Sequence, residues 1–142
     1  MRKILEHRLL QRQVDLGILV IRLSVGILML LHGVFKLQNG AGGIESMVEQ
    51  AGLPTFLAYG VYVGEVIAPI FIILGLGTRL AASVFAVNCI VAALLGHMGD
   101  LFSLNAVGGW AIELLGLYFF GAVALVFMGG GKYALSRKYI WD

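Results

Sequence analysis

Charge is what this chain has least of. Only 13% of its 142 residues are Asp, Glu, Lys or Arg, against roughly 25% in a soluble globular domain. With 60% hydrophobic residues and a mean hydropathy of +0.94, too little polar surface is left to cover a soluble fold, so the chain reads as an integral membrane protein. Cysteine is nearly absent. The single Cys89 lies inside an apolar run, which excludes an intrachain disulfide and a CxxC dithiol mechanism. Proline occurs twice and glycine 20 times, a balance that suits closely packed transmembrane helices. Strict apolar–polar alternation is also missing, which argues against the strands of a membrane barrel. No cleavable signal peptide is expected, because the first long apolar run starts late and is long enough to span.

Four continuous apolar runs remain, at about residues 15–37, 56–75, 80–96 and 108–127, each near the ~20 residues a bilayer core requires. The expectation is an all-α, four-helix transmembrane bundle forming a single domain over residues 1–142. Eight of the ten Lys and Arg residues flank one side: Arg2, Lys3, Arg8, Arg12, Arg79, Lys132, Arg137 and Lys138. The positive-inside rule then puts both termini in the cytoplasm and the protein in a cytoplasmic (inner) membrane. The segment 1–13 mixes these basic residues with Ile4, Leu5, Leu9 and Leu10 and reads as a short interfacial helix on anionic lipid. Its partner is the bilayer; nucleic acid is not expected. Within the first outer loop, 38–55, the residues Ile44, Met47, Val48 and Ala51 recur at helical spacing before Gly52 and Pro54. This predicts a short amphipathic helix able to cover the mouth of the bundle. The stripe Gly60, Gly64 and Ala68, with Ala82/Ala86 on the next run, predicts close helix contacts within the bundle or in a homo-oligomer.

Six ionisable residues interrupt the apolar runs: Arg22, His32, Lys36, Glu65, His97 and Glu113. A charged group at the bilayer centre costs about 2.5–3.5 kcal/mol on insertion scales, and such groups face the bundle interior and pair. Arg22, Met29 and Lys36 are spaced by sevens, with Gly26 and His32 close to the same face, so a polar stripe runs along the first helix. A rise of ~1.5 Å per residue puts Glu65 about 13 Å and Glu113 roughly 8 Å below the outer surface, with His97 at the rim. On depth, Arg22 is expected to pair with Glu65, and Lys36 or His97 with Glu113. Ion pairs that only fix the helix arrangement are one reading. Against it, histidine exchanges protons near neutral pH, which ionic glue does not require. Tyr62, three residues before Glu65, is expected to line the same cavity. Asn88 is expected to bond a neighbouring helix and Asp100 to be a solvated loop residue. Bis-histidine haem ligation by His32 and His97 is disfavoured, since no haem cavity can be inferred, and no metal or resident cofactor is expected.

Several short motifs, in this order, resemble the DoxX family of small four-helix membrane proteins. They are Arg22 with His32-Gly33-x-x-Lys36, Gly52-Leu-Pro54, Glu65, Leu76-Gly-Thr-Arg79, His97 and Gly130-Gly-Lys-Tyr-Ala-Leu135. The resemblance implies a quinone-related redox role at the membrane, exercised with a soluble or membrane redox partner. On that reading His32, Glu65, His97 and Glu113 are the catalytic candidates. They would bind carbonyl or hydroxyl oxygens of a quinone, quinol or small aromatic and carry its protons. Arg22, Lys36 and Tyr62 are the ligand-binding candidates. Arg22 and Lys36 would keep the carboxylates ionised and favour an anionic intermediate. Two alternatives use the same residues: a small-molecule or proton-coupled transporter acting as an oligomer, and a non-catalytic scaffold of a membrane complex. The transport reading lacks internal repeats or a clearly broken helix.

Overall fold

The computed structural model describes residues 2–142, with side chains from Gln13 onward. Its helices are α1 (Arg2–Asn39), α2 (Gly42–Gln50), α3 (Thr55–Leu74), α4 (Thr78–Gly96) and α5 (Glu113–Met128). Among the described residues, three stretches are long and apolar enough to cross a membrane: Gln13–Asn39 within α1, and α3 and α4; α5 is a shorter apolar helix. The backbone of α1 runs unbroken from Arg2, so the described residues 2–13 continue the first helix. The expected contact of its basic and apolar side chains with lipid falls outside the described residues.

Helix α1 lies against α3 because glycine opens both contact points. A Cβ on Gly33 would overlap the Glu65 carbonyl, and one on Gly26 would overlap Ile73. Close backbone approach of this kind replaces the hydrophobic drive that lipid cannot supply. Between and below these contacts the core is apolar, centred on Met29, Ile72, Phe85, Cys89, Ala122 and Leu125.

Helix α3 is not uniform. It opens with a tight turn over Thr55–Tyr59, and the residues Val63–Ile67 form a wide π-turn. Pro69 explains the widening. It has no N–H for the Glu65 carbonyl, and its ring would clash with that carbonyl in a regular α-helix. The turn leaves the Glu65 carbonyl facing Gly33 of α1. The sequence shows no clearly broken helix; the structure gives a second spanning helix whose register changes at Glu65.

The end of α3 is closed by Gly75, at φ +71, with its N–H bonded to the Phe71 carbonyl at 2.9 Å and the Leu76 N–H bonded to the same oxygen at 3.0 Å. A left-handed glycine completes this kind of helix stop. The tail then returns over the same corner. Leu135 and Ser136 donate their N–H groups to the carbonyls of Leu74 and Gly75, while the Trp141 carbonyl accepts from Arg79 and Leu80 at the start of α4. The Asp142 carboxylate accepts the Gly77 N–H at 2.9 Å, the Ser136 hydroxyl at 2.7 Å and the Lys138 and Tyr139 N–H groups at 2.8 Å. One tail thus satisfies carbonyls ending one helix and N–H groups beginning the next, groups with no partner inside their own helices.

The fourth apolar run departs from expectation. Its helix starts at Glu113 rather than near residue 108. Asn105 is the cause: its side-chain oxygen accepts the N–H groups of Val107 and Gly109, and Gly108 turns at φ +83. The chain doubles back, pairing Leu104 with Trp110, and the Trp110 indole donates to the Leu101 carbonyl at 2.9 Å. Apolar composition alone does not register such a turn. The amphipathic segment expected in the loop after the first helix is present as α2, with Val48 buried at 2% exposure.

Candidate functional site

Near the α2 end of the bundle, residues from α1, α3, α4 and α5 converge on one cavity of about 460 Å³. Helix α1 contributes Met29, His32 and Lys36, α3 contributes Glu65, the end of α4 contributes His97, and α5 contributes Glu113 and Tyr118. Five of the six ionisable residues singled out in the sequence therefore share one chamber.

Its fixed point is the pair Lys36–Glu65. The Lys36 ammonium donates to both carboxylate oxygens of Glu65. The Glu65 side chain is 7% exposed and that of Lys36 28%, so the carboxylate lies inside and the lysine approaches from the rim. A carboxylate taken out of water persists only with such compensation. The Tyr62 hydroxyl donates to the Lys36 main-chain carbonyl at 3.2 Å, bracing the last turn of α1 against α3. Tyr62 does not line the polar chamber, because the π-turn changes the spacing that would have stacked it beneath Glu65.

Around this pair stand groups left accessible. His32 is exposed and packs edge-on against Tyr118, with centroids 6.2 Å apart at 89°. Tyr118, 8% exposed, rests in turn on Phe85 at 6.1 Å, so a rigid aromatic wall fixes the histidine ring. His97 Nδ1 lies 3.3 Å from Asp100 Oδ2, both side chains about half exposed. Glu113 occupies the first turn of α5, where the helix dipole favours a carboxylate, and its side chain rests on Gly109.

Three pairing expectations are corrected. Arg22 does not pair with Glu65. Its guanidinium is 1% exposed and donates to the carbonyls of Ile72 at 2.9 Å, Ile73 at 2.7 Å and Gly130 at 2.9 Å. It neutralises the carbonyl ends of α3 and of the turn after α5, away from the chamber. Glu113 pairs with neither Lys36 nor His97 among the described residues, since Lys36 is taken by Glu65 and His97 by Asp100. Asp100 is exposed in the turn after α4, as expected, and there meets the His97 ring. The expected depth was itself off: Glu65 lies opposite Gly33 while Arg22 reaches Ile72 and Ile73, so the two groups are separated by about 16 Å of α1.

Two polar lining residues were missed. Tyr118 follows Glu113 by five residues and hides among aromatic and aliphatic neighbours; its hydroxyl was the available signal. Asn105 lines the chamber from the turn after α4 and had no signal beyond its turn propensity. Asn88 forms no bond to a neighbouring helix among the described residues. The side-chain hydrogen bonds of α4 are those of Arg79 and Ser83, and Asn88 lies against Gly64, where a Cβ would overlap it. Among the described residues, no three His, Cys, Asp or Glu side chains stand close enough to share a metal ion. What the chamber offers chemically is a hydrogen-bonding shell: a fixed ammonium–carboxylate pair, two imidazoles and a further carboxylate around a cavity floored by Met29 and Tyr118.

Comparison with known proteins agrees with the motifs. The DoxX family model matches residues 17–98, a range holding Arg22, His32, Lys36, Glu65 and His97. The chain is 28% identical over 109 residues to a Bacillus subtilis protein named "Putative oxidoreductase CatD", covering 77% of this chain and 81% of that one. It is 34% identical over 122 residues to an uncharacterised protein of Haemophilus influenzae, covering 84% and 87%. It is 27% identical over 128 residues to the Escherichia coli protein named "Inner membrane protein YphA", covering 85% and 89%. No solved structure matches the chain. The three spanning-length helices and the inner-membrane relative agree on a multi-pass protein of the inner membrane. The family match over residues 17–98, more than half of the chain, makes this protein a member of the DoxX family of integral membrane proteins.

Proposed function

We propose that the polar chamber binds the ring of a quinone, quinol or similar small aromatic and assists its oxidation or reduction together with a redox partner. The observation that carries this reading is the convergence of His32, Lys36, Glu65, His97 and Glu113 from four helices on one cavity of about 460 Å³. Quinone reduction takes up two electrons and two protons. In this reading the electrons come from the partner protein, because the chain carries no cofactor motif of its own. His32, His97 and Glu113, being accessible, supply and remove the protons. The Lys36–Glu65 pair orients a ring oxygen, and the ammonium favours an anionic intermediate. The oxidoreductase name of the Bacillus subtilis relative supports the same class of chemistry.

The charge distribution supports a topology with both ends of the chain in the cytoplasm, so the chamber and α2 face the opposite side. Protons exchanged there would be exchanged outside the cytoplasm. The test is equilibrium binding of the tail-less dimethoxy-methyl-benzoquinone ring to the full chain in nanodiscs, beside His32→Phe. That variant keeps a ring against Tyr118 but removes both imidazole nitrogens. The reading expects saturable binding to the wild type, weakened about tenfold in the variant for one lost hydrogen bond. Equal binding by both, or none by either, would contradict it. A transport reading has one observation in its favour, the π-turn that interrupts α3 at Glu65, since interrupted helices mark substrate sites in transporters.

A further inference from the structure

A second cavity, of about 610 Å³, adjoins the polar chamber. The two share Lys36, Glu65, Ala92 and His97 as a common wall. Beyond that wall the second cavity is apolar, running between α3 and α4 beneath α2. Met47 and Val48 form its roof, with Met47 reaching Gly96 at the end of α4. Its side wall is open. Val63, Val87 and Val91 line it and are also 44%, 58% and 44% exposed on the surface of α3 and α4. In a membrane-spanning pair of helices those valines face hydrocarbon. The cavity is therefore a crevice open sideways, toward the bilayer.

Away from the shared wall, one polar side chain breaks this apolar lining. Asn88 lies halfway along α4, packed against Gly64, and makes no hydrogen bond among the described residues. An amide facing a hydrocarbon-lined space without a partner is unfavourable, and its two donors and one acceptor are open to whatever enters. The glycine it lies on, Gly64, immediately precedes Glu65 in the π-turn, so the amide stands beside the shared wall.

We propose that the α3–α4 crevice is the seat of the apolar chain of a bilayer-borne amphiphile. Its polar head crosses the shared wall into the chamber, and Asn88 hydrogen-bonds the head oxygen nearest the chain. This deepens the quinone reading by making the substrate a lipid-soluble, long-chain compound rather than a water-soluble ring, and it rests on that reading for the identity of the head only. The polarity gradient carries the argument: charged groups at the shared wall, one amide beside it, and hydrocarbon side chains from there to the membrane. The occupant is held by its chain in the crevice and by its oxygens at the wall, and α2 closes the crevice from above.

The test uses the full chain in nanodiscs with three probes: decylubiquinone, its tail-less ring, and decanol. Val91→Trp fills the crevice from its lipid-facing side and Val87→Trp does so one turn away, so that one of them failing to fold does not end the test; thermal unfolding selects a folded variant. Asn88→Leu removes the amide at similar volume. The expected result is that the tryptophan variants lower decylubiquinone affinity about tenfold or more while leaving the ring unaffected, and that Asn88→Leu lowers decylubiquinone affinity about tenfold. Decylubiquinone and ring binding alike, with folded tryptophan variants changing neither, would overturn the crevice proposal and leave the chamber reading intact. Decanol binding that is lost in the tryptophan variants, with no binding of the ring, would uphold the crevice and overturn the quinone head.

Discussion

Replacing Arg22 separates structural charge from functional charge in this protein. The guanidinium makes three hydrogen bonds, to the carbonyls of Ile72, Ile73 and Gly130, and is almost wholly buried. In Arg22→Met the side-chain bulk stays but the Ile73 and Gly130 carbonyls lose their donor, while Ile72 keeps the Gly75 N–H at 3.2 Å. Each buried unsatisfied group costs about 1–3 kcal/mol. Relief from burying a guanidinium, worth several kcal/mol, offsets part of the total. The net expectation is a loss of about 2–4 kcal/mol of stability. Arg22→Lys should be almost as damaging, because one ammonium cannot match a planar fork reaching three oxygens on two segments. The assay is unfolding followed by helical circular dichroism in nanodiscs, together with the affinity of the folded fraction for the tail-less ring. Stability should fall while that affinity holds. A variant as stable as the wild type that no longer binds the ring would refute the capping argument and return Arg22 to the binding site.

Gly33→Ala should destabilise the α1–α3 contact by about 1–3 kcal/mol, since its Cβ would overlap the Glu65 carbonyl. Gly17→Ala, in the same helix with nothing within 4 Å of the added Cβ, should be neutral or stabilising by roughly 0.5–1 kcal/mol; the two measured side by side test whether close approach rather than helix propensity decides. At the other end of the bundle, the N–H of Tyr139, the Ser136 hydroxyl and the N–H groups of Gly77 and Lys138 hold the Asp142 carboxyl below its ordinary 3.8. A depressed folded value means that its contribution is complete above 3.8 and is lost as pH falls through the lower folded value. Limited proteolysis should find the tail at 132–141 protected at neutral pH and opened by strong acid or by Asp142→Asn, and equal cleavage of wild type and variant at neutral pH would count against the capping role.

Much of the architecture could be read from residue pattern alone, and the failures have particular causes. The apolar runs located the helices, and the spacing of Ile44, Met47 and Val48 located α2. Of the stripe Arg22, Gly26, Met29, His32 and Lys36, the first three are buried, Lys36 is partly buried and His32 is exposed, so helical geometry placed its inner part. The start of α5 was misplaced because hydropathy is blind to an asparagine that folds 105–109 into a turn. Depth placed Glu65 among the other ionisable groups, yet its partner was misjudged: Pro69 widens α3 there, and Arg22 finds helix-end carbonyls that no side-chain inventory lists as partners. Asn88 was expected to satisfy itself on a neighbouring helix, and the glycine it lies on offers no such group.

The most direct test of the central claim is native mass spectrometry of the protein released from its own membrane, run beside folded Glu65→Gln. The account predicts a bound molecule of quinone mass, carrying an apolar chain, on the wild type and its loss from the variant while the helices remain intact. Phospholipid alone, or an identical bound molecule on both, would contradict the assignment of the Lys36–Glu65 chamber as the ligand site.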